Sequence, residues 1–226
     1  MSKTKQAFEV LQRMIEHGDL HAGTMVSESK LVELTGLGRT PIREAIHRLA
    51  LGHMIRIHPS KGLEIPTITV EDQLNALEVR RDLELLAVRL ACERKTESQR
   101  AAMIVLSNEL RGEYALHEYT ETVRETHALI IEATHNPYLG TSILPLQALS
   151  RRFWITHIRD ARREINRGRE FHRNLLSAVC DGDVGSASAA SRALNDYLVE
   201  FALAVVSAKL KRSTHCPPSA PLGHLS

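Results

Sequence analysis

Arg39, Arg43 and His47 are spaced by four residues within GRTPIREAIHRLAL, and Thr40 stands three before Arg43. On a helix that spacing puts all four on one side. A planar guanidinium there can donate two bonds to O6 and N7 of a guanine in a major groove. Ile42, Ala45, Ile46 and Leu49 fall at i, i+3, i+4 and i+7 on another side. A short helix with one apolar face and arginines near its start fits the recognition element of a helix-turn-helix. An amphipathic helix with solvated arginines has the same spacing. Further on, Lys61 and Gly62 close the turn PSKG; a lysine neutralises phosphate and a glycine lets backbone approach it. Two histidines suggest a second kind of chemistry. His127 shares a helical face with Val123, Ile130, Ile131 and Thr134, and His172 shares one with Ile165, Leu175, Leu176 and Val179. An imidazole on such a face is a metal ligand, a hydrogen-bond donor to a ligand, or, most often, a satisfied core residue.

The elements that must position these residues are mostly helical. Apolar spacing at Ala7, Val10, Leu11 and Met14 predicts a helix over 3–17 ended by Gly18. His21-Ala22-Gly23 reads as a turn, and Ser27 caps a second short helix carrying Leu31 and Leu34. Gly36-Leu37-Gly38 breaks it, and Thr40-Pro41 opens the third helix. Met54–His58 and Leu63–Ile65 read as two strands of a hairpin. Helix, helix, tight turn, helix and hairpin make a winged helix-turn-helix over 1–66. Residues 67–70 form a linker. From there no strand pattern recurs, and helices are expected over 70–95, 97–115, 118–135, 138–158, 162–181 and 183–209, with Pro145 inside the fourth. The fold class is therefore mainly α: a winged helix-turn-helix followed, over 71–210, by an all-α six-helix antiparallel bundle. Residues 211–226 carry three prolines and read as a disordered tail.

Composition excludes several classes. The chain has 226 residues, 43% hydrophobic and 25% charged, which is neither fibrous nor disordered. The run FALAVVSA at 201–208 is too short to cross a bilayer. MSKTKQAFEV has no apolar run after its lysines, so no signal peptide is expected. Cys92, Cys180 and Cys216 form no CxxC pair, which fits reduced thiols in a cytoplasmic protein. The net charge of +2 is uneven: Gly36–Gly62 carries Arg39, Arg43, Arg48, Arg56 and Lys61 against Glu44 alone. Such a patch suits phosphate. The chain contains no G-x-S-x-G, H-E-x-x-H or Gly-rich phosphate loop, so an enzyme is not expected.

The segment GDLHAGTMVSESKLVELTGLGRTPIREAIHRLALGHMIRIHPSKG resembles the N-terminal domain of GntR-family bacterial transcription regulators. LEVRRDLELLAVRLACER, HALIIEATHNPYL and EFHRNLLSAVCDGD resemble the FCD effector domain, and six helices suggest its vanillate-type branch. The resemblance implies a ligand-responsive regulator, a repressor released by a small organic acid, bound as a homodimer to a palindromic DNA operator with GT and AC half-site cores. It places Arg39 and Arg43 at base-reading positions, Thr40 at a phosphate contact, and Lys61 and Gly62 at the wing tip. Gly38 stands where the family usually has Ser or Thr, and Ser29 where some members have arginine.

Many FCD domains hold a divalent metal, such as zinc, through one Asp and three His. The resemblance puts His127 and His172 at two of those positions, but Val123 and Leu194 at the other two. Two imidazoles are half of the roughly four donors zinc takes, so no cofactor is expected unless a shifted ligand, Asn195 or Glu125, completes the set. The expected effector pocket is then lined by Arg80, Val123, His127, His172 and Leu194. Arg80 meets an effector carboxylate or pairs with Glu84 one turn on. Arg151, Arg152 and Trp154 are further candidates, although the eight arginines between 151 and 173 read chiefly as a solvated or dimer-facing surface. A constitutive architectural DNA-binder without a ligand, or a metal-dependent enzyme, would be the alternatives.

Overall fold

The computed structural model describes residues 2–213. The N-terminal part contains α1 (Lys3–His17), β1 (Thr24–Val26), α2 (Glu28–Thr35), α3 (Arg39–Leu51), β2 (Arg56–His58) and β3 (Gly62–Ile65). Six helices follow: α4 (Val70–Arg94), α5 (Glu97–Glu109), α6 (Leu116–Ala133), α7 (Pro137–His157), α8 (Ala161–Asp181) and α9 (Val184–Ser213). Local capping chemistry sets most of the starts. Ser27, Thr69, Thr96, Asn136 and Asp160 each accept a backbone N–H of the first turn. α9 runs to Ser213, past the expected start of the tail at 211; the rest of that expected tail lies outside the described residues.

The three strands form one antiparallel sheet in the order β1-β3-β2. β2 pairs with β3 as a hairpin, His58 opposite Gly62, and β1 pairs on the other edge, Thr24 opposite Ile65. β1 replaces part of the loop expected before Ser27. At the hairpin tip the Lys61 N–H donates to the His58 carbonyl, with Ser60 at φ +63. Proline at the second place and a positive φ at the third is type II turn geometry. Gly62, at φ +108, also lies against the Val26 carbonyl, where a Cβ would sit 3.3 Å from the oxygen.

The N-terminal core joins Ala7, Leu11 and Ile15 of α1 to Leu31, Ile42, Ala45, Ile46, Leu49 and Ile65. The apolar spacing placed Val10 and Met14 on the buried face; both are only half-buried, and Ile15 takes that place. Leu34 is exposed rather than packed. α1 also buries a second, polar face, Gln12 and Glu16. That face meets α7, whose Ala148 sits in the N-terminal core. Gly52, which ends α3, packs against Pro145 of α7, where an added Cβ would come within 3.2 Å of the proline Cβ.

In the helical part, α4 lies against α7 and α9, and α8 against α5 and α9. The main core gathers Val88, Met103, Tyr119, Ile130, Trp154, Leu176 and Leu194 among others. Gly168 on α8 admits the Tyr119 ring: a Cβ there would collide with the Tyr119 hydroxyl end. An alanine normally favours a helix by about 0.5–1 kcal/mol over glycine. Gly168→Ala is expected to do the reverse, lowering stability by about 1–3 kcal/mol through overpacking, as read from urea unfolding.

Candidate functional site

Arg39, Thr40, Arg43 and His47 are all exposed on α3, opposite its buried stripe, and Lys61 is exposed at the hairpin tip. Gly38 caps α3 with no side-chain hydrogen bond, so the helix opens on backbone groups alone. Its φ of −68 needs no glycine. Ser29 is exposed and lies 3.0 Å from the Ser27 hydroxyl. Arg43 is not idle: its Nε donates to both carboxylate oxygens of Glu28, at 2.9 and 2.8 Å. That partner, on the first turn of α2, was not foreseen.

The second site is a cavity of about 50 Å³ inside the helical part. Arg80, Val123, His127, His172 and Leu194, all expected there, do line it. So do Tyr119, Gln147, Ser150, Arg151 and Trp154, among which only Arg151 and Trp154 were candidates. Gln147, Ser150, Arg151 and Trp154 fall at i, i+3, i+4 and i+7 on α7. That is the spacing of a buried stripe, hidden from an apolar search because three of the four are polar. Arg151 and Arg152 are buried rather than part of a solvated arginine surface.

The wall carries polar atoms with no partner: both ring nitrogens of His127, Nε2 of His172, Oε1 of Gln147 and Oγ of Ser150. The His172 Nδ1 lies 2.7 Å from the Gly168 carbonyl. A carbonyl only accepts, so Nδ1 carries the proton and Nε2 presents a lone pair. Burial pulls the His172 imidazole down to about 4. Burial, then the neighbouring His172, Arg80 and Arg151, holds His127 well below the ordinary histidine range. Both rings are neutral at pH 7, their centroids 5.3 Å apart. Positive charge in the cavity therefore comes from arginine. Arg80, 1% exposed, gives Nε and Nη2 to Glu84 at 3.1 and 2.6 Å, which decides for the pairing with Glu84. It remains part of the cavity wall.

The four-donor metal set does not fit. Val123 and Leu194 bring aliphatic carbon to the cavity beside the two imidazoles. Asn195 donates its amide to the Leu77 carbonyl, and Glu125 is exposed. Among the described residues, the one group of three such donors within reach of a single ion is His17, His117 and Glu121, on the seam between α1 and α6. Glu121 is already paired there with Arg13 and Arg124.

Residues 3–65 match the model of bacterial regulatory proteins of the gntR family, and residues 75–196 match the FCD domain. The chain belongs to the GntR family. GntR-family members are regulators, not enzymes. The HTH-type transcriptional regulator YdhC of Bacillus subtilis is 30% identical over 141 residues, covering 59% of this GntR chain and 62% of YdhC. The HTH-type transcriptional repressor RspR of Escherichia coli is 32% identical over 95 residues, 42% of each chain. The chain thus spans between roughly two fifths and three fifths of these curated relatives. In fold it is similar to E. coli McbR/YncC, with TM-score 0.69 at 21% identity, covering 94% of this chain and 99% of that one. Among the described residues no helix is long and apolar enough to cross a membrane.

His172 takes up its proton near 6.5 when unfolded but only at about 4 when folded. Between those values the unfolded state holds more protons, so stability falls as pH drops. Urea unfolding at pH 7 and pH 5 is expected to show a loss of about 2 kcal/mol from this group. In His172→Gln that part of the loss should disappear.

Proposed function

We propose that this GntR-family chain is a cytoplasmic transcription repressor that binds a palindromic DNA operator as a homodimer and releases it on binding a small organic carboxylate. Residues 1–66 read DNA, and residues 71–210 sense the ligand and dimerise. The observation that carries the sensing role is the cavity, which at about 50 Å³ seats a carboxylate head and must widen to take the rest of an acid. A space in an apolar core, with several unpartnered polar atoms beside two arginines, is costly unless something fills it. Val123 and Leu194, already buried, favour an acid with apolar bulk, aromatic or medium-chain, because the gain comes from the ligand's own apolar surface leaving water at roughly 25 cal/mol per Å². Arg80 and Arg151 meet the carboxylate, while neutral His127 and His172 hydrogen-bond to it. Six helices in this part support the vanillate-type branch of the FCD group.

For DNA, Arg39 and Arg43 reach guanine, Thr40 and His47 flank them, and Lys61 with Gly62 meets phosphate. One wing unit covers few bases, so two copies on a palindrome supply specificity. Titration of a GT/AC palindrome should show Arg43→Ala costing about 1–3 kcal/mol per half-site with relaxed base preference. Lys61→Ala should weaken all sequences alike and reduce the salt slope by about 1. Unchanged affinity in Arg43→Ala would overturn the assignment of α3. In the same titration benzoate or octanoate should release the wild type but not His172→Ala, which keeps its operator affinity. A protein whose operator affinity and melting temperature ignore both acids is a constitutive binder instead.

A further inference from the structure

Two arginines face the cavity, and each arrives with a carboxylate attached. Arg80 is held by Glu84, one turn along the same helix. Arg151 is held by Glu16, which comes from α1 in the N-terminal part. The Glu16 side chain is fully buried, yet it remains charged. Burial alone would push its carboxyl up; Arg151, Arg124 and Gln12 more than reverse this and hold it below the ordinary range. Arg151 gives it Nε and Nη2, both at 3.0 Å. Arg124 gives Nη2 at 3.0 Å, and the Gln12 amide adds a bond at 2.7 Å.

We propose that Glu16 is a tethered stand-in for the ligand: it occupies Arg151, the anion seat of the cavity, until an incoming carboxylate displaces it and so frees α1 from α7. The inference rests on the ligand reading above and names how that site is regulated.

Charge makes this an exchange rather than a sharing. Glu16 fills the Nε–Nη2 edge of Arg151, so an incoming carboxylate finds only the Nη1–Nη2 edge of the same guanidinium. A second carboxylate on the same guanidinium would lie close to Glu16, and two buried like charges so near repel each other. Glu16 has somewhere to go. Arg124, the other cation on it, is 18% exposed at the side chain and already linked to Glu121 at the seam. Moving toward Arg124 keeps the Glu16 charge paired while Arg151 turns to the ligand. Arg80 has no comparable role, because Glu84 lies on the same helix and is otherwise held by Gln147 of α7, so its release does not reach α1. α1 carries Ala7, Leu11 and Ile15 of the core that holds α3, so its release reaches the DNA-reading helix through packed side chains. Coupling of this kind is reciprocal: whatever Glu16 takes from ligand affinity, the ligand takes from the hold on α1.

The test uses the full chain, with acetate, benzoate and octanoate as probes. Calorimetry gives their affinities, and backbone hydrogen exchange reports on α1. Glu16→Gln removes the internal competitor. It should bind the best of the three acids about tenfold or more tighter than wild type, within the usual range of coupling between sites. Its α1 should exchange without ligand as fast as that of acid-bound wild type, and the acid should add little more. Glu16→Asp keeps the buried charge, and hence the fold, but loses the reach for a two-point grip; it should fall between. Tighter binding in both variants, with α1 loosened by the acid in wild type, supports the exchange. If an acid binds wild type but neither variant binds it more tightly, or if α1 exchange ignores the bound acid, the exchange is overturned and the ligand reading stands. If none of the three acids binds any of the proteins, the ligand reading falls and the exchange falls with it.

Discussion

The arrangement of the whole chain turns on one buried carboxylate. Glu16 has no access to water, so its charge must be met by protein donors. Gln12 on α1 supplies one donor, but both cations come from the other part of the chain, Arg124 on α6 and Arg151 on α7. Removing one partner from such a cluster typically costs about 3–5 kcal/mol. That requirement locks α1 against α7 in one register. The neighbouring contacts obey the same register. Arg152 donates to the Pro66 carbonyl at 2.6 Å, pinning the chain where the hairpin ends, and Gly52 accommodates Pro145. Ala148 completes the N-terminal core from outside it.

The same helix face lines the cavity, so the lock on α1 and the cavity wall share Arg151. Ser150, Arg151 and Trp154 belong to one turn of α7. Trp154 donates its indole N–H to Tyr197, which in turn donates to Glu164, at 2.8 and 2.7 Å. His127, His172, Gln147 and Ser150, which also line the cavity, keep polar atoms with no partner.

Most helices were legible locally, because caps are local. Thr69, Thr96, Asn136 and Asp160 announce their helices within three residues. β1 was not, since Thr24-Met25-Val26 is short and exposed and exists through pairing with residues 63–65, some forty positions on. The cavity was half legible. His127 and His172 stood out as polar residues in apolar stripes, and Val123 and Leu194 through resemblance. Gln147 and Ser150 were missed because a stripe of polar residues looks solvent-facing until the opposing surface is known. Glu16 was hidden for the same reason: its spacing with Gln12 matches an ordinary exposed helix face. What made it buried is an arginine 135 positions away.

The ion pair between Arg43 and Glu28 bears on how freely that side chain moves before any partner arrives. The contact is a single Nε N–H shared between both Glu28 oxygens, at 2.9 and 2.8 Å. It ties the exposed start of α3 to the first turn of α2 and fixes the direction of a long side chain. A side chain already ordered by its neighbour loses less rotamer freedom when it takes up a further contact.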